Sequence, residues 1–299
     1  MPRTLAAALS ETQPKASSSP ATGGWRAHLV LRYRRDGERT VAHDRHSGPL
    51  RVLQRLYPEG PAVCHHVLVH PPGGIVGGDQ LEVEADLAPG SHALLTTPGA
   101  TRCYRSTGAC SRQSVTARVA EGARLEWLPL EAIAHNGCEA ENRLRFELAA
   151  GAEMIGWDTL ALGLPAAGHR FLRGRYLQHL EFPGRWLERG LVDGADPHLI
   201  DSPLGWAGHS VLATAWIATG GIWPAARLAA LVDAARHAVA AHAEAPLTAG
   251  VTSTHPGIVV LRLLADRVEP SMALLVAVRA AWRQAAWGLM ANAPRIWQT

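Results

Sequence analysis

From about Trp25 the chain alternates apolar and polar positions with the period of two that a half-buried strand requires. Four segments share one frame: apolar alternation, a turn carrying glycine, then alternation again. They are residues 87–95 around Gly90, 119–127 around Gly122, 148–156 around Gly151 and 180–188 around Gly184. The turn glycines lie 32, 29 and 33 residues apart, a near-constant interval that predicts layers, each covering its neighbour's apolar face. The expected architecture is mainly β: a β-helix-like stack of antiparallel hairpins, with a sandwich of the same hairpins as the alternative. The period then changes. Residues 224–242 begin with proline and carry Leu228, Leu231, Val232 and Ala235 on one stripe, which predicts a helix. A second helix is predicted from Ser271, as its cap, to about Met290, with Leu274, Leu275, Val278, Trp282 and Ala285 inward. Trp282 and Trp287 read as core residues at helical spacing. A strand is expected between the helices, at 257–264. Residues 1–24 have little to bury and read as a flexible tail. No linker interrupts 25–299, which reads as one domain.

Composition narrows the class. Of 299 residues, 47% are hydrophobic and 18% charged, which excludes a disordered chain. The net charge of +3 arises from a mild basic excess in the first 60 residues, too thin for a nucleic-acid footprint. Cys64, Cys103, Cys110 and Cys138 form no C-x-x-C pair, so no zinc knuckle or thioredoxin-type motif is present. The longest uncharged stretch, 202–226, is broken by glycines and a proline and does not read as a membrane span. The apolar patch near the N-terminus is shorter than a signal-peptide core. The chain reads as soluble and cytoplasmic, with reduced thiols.

Three blocks carry candidate chemistry. The first is His70-Pro-Pro-Gly73-Gly74-Ile-Val-Gly77-Gly78-Asp79. It lacks the G-K-[ST] of a phosphate loop, and an alternating strand follows it in place of a helix. A tight irregular crossing between strands fits it better. Just upstream, Cys64-His65-His66 supplies soft ligands suited to nickel, copper or zinc, with Cys64 and His66 on one strand face and His65 on the other. The second block is Thr96-Thr97-Pro98-Gly99-Ala-Thr-Arg102-Cys103-Tyr104-Arg105-Ser106, where two arginines beside a turn can clamp an anion or a partner's carboxylate. The third, Leu125-Glu126-Trp127-Leu128-Pro129-Leu130-Glu131, places Glu126 with Leu128 on one face and Glu131 just beyond the break at Pro129. Neither a G-x-S-x-G elbow nor an H-E-x-x-H zinc site occurs.

In order and spacing these blocks resemble the signature of the UreD (UreH) family of urease accessory proteins, as does the terminal Pro294-Arg-Ile-Trp297. The resemblance covers roughly 26–299. It implies a cytoplasmic maturation scaffold that is not an enzyme and has no catalytic residues. Such a chain assembles with UreF and UreG on the apo-urease subunits. Nickel, delivered by other accessory proteins, passes through it toward the urease metallocentre. Ni²⁺ is then transient cargo, with no tightly bound cofactor and no stable metal site. The implied fold is a β stack with two helices.

A conduit needs sparse ligands that hold the ion briefly. Asp79 and Glu131, then His70 and Cys103, are the expected path residues. Gly73, Gly74, Gly77, Gly78, Thr96, Thr97, Gly99, Tyr104 and Arg105 are expected to shape the structure. Two other classes compete: an anion- or small-molecule-binding enzyme using Arg102 and Arg105, and a nickel-storage protein that binds the ion tightly. Neither a nucleic-acid nor a membrane partner is expected.

Overall fold

A computed structural model describes residues 24–298. The tail assigned to 1–24 therefore lies outside the described residues, except Gly24, where a side chain would collide with the Gly78 backbone. In chain order the strands are β1 (Arg26–Asp36), β2 (Arg39–Ser47), β3 (Arg51–Leu56), β4 (Val63–Val69), β5 (Gln80–Leu87), β6 (His92–Thr96), β7 (Thr101–Cys103), β8 (Ser111–Val119), β9 (Arg124–Leu128), β10 (Ala132–Ala134), β11 (Glu139–Leu148) and β12 (Glu153–Leu162). Then follow β13 (Arg175–Phe182), β14 (Trp186–Asp193), a one-turn helix α1 (Pro197–Ile200), β15 (Val211–Thr219), α2 (Ala225–Ala240), β16 (Leu247–His255), β17 (Ile258–Ala265) and α3 (Val268–Trp287).

The layered β stack and both long helices are present, but the pairing within the stack is not that of antiparallel hairpins. The strands on either side of Gly90, Gly122 and Gly151 lie in different sheets. Each pairs in parallel with the strand one coil away: β1, β5, β8, β11 and β13 in one sheet, and β4, β6, β9 and β12 in the other. Only the fourth glycine turn closes a true hairpin, β13 with β14. A glycine turn between alternating strands serves a hairpin and an arc from sheet to sheet equally well. The pairing partner lies about 30 residues away, so local pattern does not reveal it. All four turn glycines have φ between 67° and 75°, a region costly for other residues. The arcs also stack: the Gly90 amide donates to the Glu121 carbonyl and the Gly122 amide to that of Gly151.

Inward positions of both sheets form one core, including Val83, Val115, Phe146 and Leu180 against Leu95, Leu125 and Met154. The central strands of the second sheet are buried on both faces and mostly apolar, as strands covered on both sides must be. Its far face packs Leu94, Ile155 and Val259 against Leu231, Leu274 and Trp282 of the helices. Trp282 is fully buried and its indole donates to the Leu231 carbonyl at 3.0 Å, the core role expected for it. The expected strand at 257–264 is β17. Its exposed neighbour β16, rich in Thr and Ser, was not legible because only one face meets protein. Ser271 does not cap α3. The helix starts at Val268, and the buried Ser271 hydroxyl donates back to the Arg267 carbonyl four residues earlier. Among the described residues no helix is long and apolar enough to cross a membrane.

Candidate functional site

The three signature blocks meet at one end of the stack, where the second sheet's parallel strands end and the first sheet's begin. The Gly-rich block leads from β4 into β5. Asp79 ties it down: one carboxylate oxygen accepts the Trp25 amide at 2.7 Å and the other the Val76 amide at 2.9 Å. One oxygen of this buried acid therefore ties the loop to the residue before β1, and the other closes the loop on itself. Gly78 has φ +88°, and a Cβ on Gly77 would sit 2.5 Å from the Ser106 hydroxyl and 2.9 Å from the Ala109 carbonyl. Gly78→Val is expected to give little soluble protein, since it combines a left-handed backbone with a crowded neighbour; a soluble variant with wild-type melting would contradict this. Asp79→Asn keeps one acceptor and loses one, and is expected to cost about 1–3 kcal/mol in urea unfolding. An unchanged midpoint would show that these amides do not depend on the carboxylate.

The second and third blocks run side by side. The Thr96 hydroxyl donates to the Leu128 carbonyl at 2.7 Å and accepts from the Trp297 indole at 2.8 Å. The Thr97 hydroxyl accepts the Leu130 amide, and the Thr101 amide donates to the Glu131 carbonyl. Gly74 lies so close to Tyr104 that a Cβ there would strike the phenol ring. Tyr104 lies against the His135 imidazole, with ring centroids 5.0 Å apart.

Beneath these loops, between the sheets, lies a cavity of about 310 Å³. His70, Gly73, Gly74, Thr97, Gly99, Trp127, Gln113, Asn142 and Asp158 line it. Of the four expected path residues, His70 alone is on this wall. Its Nε2 is buried with no hydrogen-bond partner among the described residues, and burial lowers its pKa, which favours the neutral, metal-competent imidazole. Asp79 is occupied by the loop amides. Glu131 is half-buried beside the wall residues Leu130 and Ala132. Cys103 is buried in β7, where desolvation pushes its thiol up and away from the thiolate.

The carboxylate that does line the cavity, Asp158, was missed. It faces an amide ladder set by register: Gln113, Asn142 and Gln178 are neighbours across β8, β11 and β13. Asn142 Nδ2 donates to Asp158 Oδ1 at 3.1 Å and Gln178 Nε2 donates to Oδ2. Burial first, and then the charge of Glu188, pushes the Asp158 carboxyl up to about 7. The available signal was one acid in the largely apolar stretch 154–162, an expensive placement unless paired or used.

On the opposite face of the second sheet, Glu126 anchors a buried charge cluster. It accepts from Arg279 at 2.7 Å, Arg283 at 2.8 Å and His92 at 3.0 Å. Arg283 also reaches Glu59, which pairs with His65 at 2.7 Å. Burial alone would raise the Glu126 carboxyl, but Arg279, His92 and Arg283 hold it well below the usual carboxylate range. His66 points the other way, to the Tyr33 hydroxyl at 2.7 Å, as strand alternation requires.

The family model for the UreD urease accessory protein matches residues 25–298. The chain is 65% identical to the urease accessory protein UreD of Leptothrix cholodnii over 92% of its own length and 99% of that protein's. It is 57% identical to the UreD of Paracidovorax citrulli, over 91% and 99%. To the UreD of Methylibium petroleiphilum it is 55% identical, over 92% and 99%.

Proposed function

This chain belongs to the UreD family of urease accessory proteins, maturation factors rather than catalysts, and from that premise we propose that it serves as a nickel passage on apo-urease. In this reading it assembles with UreF and UreG on the urease subunits, and the ion crosses it through the cavity between the sheets. The observation that carries the path is Asp158, a buried carboxyl near neutral pKa lining that cavity. An entering Ni²⁺ displaces its proton and gains one carboxylate, which the amide groups of Asn142 and Gln178 hold in place. His70 offers a neutral imidazole on the same wall. Nickel accepts both nitrogen and oxygen ligands. A site with few charged ligands holds the ion weakly enough to release it, which conduction requires.

A test is reconstitution in a host lacking urease. The urease subunits and partner accessory proteins are co-expressed with nickel, with and without this chain. Urea hydrolysis is expected only when the chain is present; equal activity without it would overturn the maturation role.

A further inference from the structure

The arginines of the second block are not used by the nickel path. Beside the cavity a separate groove of about 450 Å³ runs between residues 104–105 and the loop 163–172. Its cationic and ionisable walls are Arg105, His135, His169 and Arg170, and among the described residues no carboxylate lines it. Among the described residues no ion pair engages Arg105 or nearby Arg102. Arg170 reaches only the exposed Asp201, at 3.5 Å. The Nε2 of His135 is buried there with no hydrogen-bond partner among the described residues, an unmet demand in a folded protein. The groove is also built rather than loose. Asn136 Oδ1 accepts the Leu172 and Arg173 amides at 2.9 and 3.0 Å, and Leu164 bridges to His169. Its apolar side chains are exposed, Tyr104 by 39% and Leu172 by 61%. Tyrosine and arginine around a pocket are the residue types that dominate binding energy in protein interfaces.

We propose that this groove docks an acidic segment of a protein partner, with Tyr104 and Leu172 as anchors and Arg105 and Arg170 paired to its carboxylates. The proposal rests on the reading that the chain works within a urease-activating assembly. It also has a consequence for the cargo. Unneutralised arginines next to the passage repel Ni²⁺, and a partner's carboxylates remove that barrier.

The test places a photo-crosslinking benzoylphenylalanine at Leu172, and as control at Leu187, in the full chain co-expressed with urease and its accessory proteins. The expected result is a crosslink from position 172, absent from 187, to an Asp/Glu-rich segment of one of those proteins. The yield should fall roughly tenfold or more in an Arg105→Glu/Arg170→Glu variant, equivalent to about 1.4 kcal/mol. Lysines placed in the partner segment should restore it. His169→Glu, on an exposed loop, gives the same readout if the double variant is insoluble. Three results would overturn the proposal: no crosslink in assemblies that activate urease, a crosslink to a second copy of this chain, or undiminished crosslinking by the charge-reversed variants. Failure of the wild-type chain to activate urease would instead count against the maturation reading, because crosslinking is scored independently of activity.

Discussion

Replacing Glu126 by alanine is expected to lower stability by about 3–5 kcal/mol, the usual cost of stripping one partner from a buried ion pair. The guanidiniums of Arg279 and Arg283 are buried, and Glu126 is the carboxylate they share. Arg283 keeps Glu59, but Arg279 is left with the Asn292 carbonyl at 3.1 Å as its hydrogen-bond partner. Two further nitrogens, Arg279 Nη2 and Arg283 Nε, already lack partners, so the pocket has no spare acceptor to offer. Domains of ordinary stability have only about 5–15 kcal/mol in total, so the variant should unfold at far lower urea. Replacing Glu126, Arg279 and Arg283 together by apolar residues of similar volume should cost less than the single change, since no charge is then stranded. A single-variant loss below about 1 kcal/mol would mean that water reaches the arginines and that the cluster does not hold α3 to the sheet.

The second large effect is on function. Asp158→Asn is expected to reduce urease activation at least tenfold, although the variant folds and joins the complex. Asparagine keeps the shape and one of the two acceptors the amide ladder uses, a loss that removing the buried charge offsets at high pH, but it has no charge with which to bind a cation. The stability change runs the opposite way. The Asp158 pKa is raised in the fold, so its contribution is fully present below the unfolded value near 4 and is lost as pH rises through about 7. At pH 8 the asparagine variant should therefore be more stable than wild type, by roughly 1–4 kcal/mol. A variant that is more stable yet inactive separates a transport role from structural damage. In the wild type, nickel delivery should rise with pH through about 7 as the carboxyl loses its proton.

Much of this was legible from residue pattern. Alternation placed Glu126 with Leu128 and opposite Trp127, and Leu128 and Trp127 indeed lie in different cores. The glycine interval marked the coils. Three things were hidden, each because it depends on residues far apart in sequence. Parallel pairing joins strands a full coil apart. Glu126 meets arginines more than 150 positions later. Asp158 becomes a cavity wall only once the strands β8, β11 and β13 bring Gln113, Asn142 and Gln178 opposite it. Asp79 was legible as a special acid in a special loop, but its two backbone amides, which fix its structural part, come from a fold that brings Trp25 beside Val76.

The most direct measurement is the nickel content of urease purified from cells carrying wild-type or Asp158→Asn chain, normalised to the amount of this chain recovered in the complex. A conduit past Asp158 predicts equal complex recovery and a urease at least tenfold poorer in nickel with the variant. Full nickel loading by a variant that assembles normally would contradict it and send the path elsewhere.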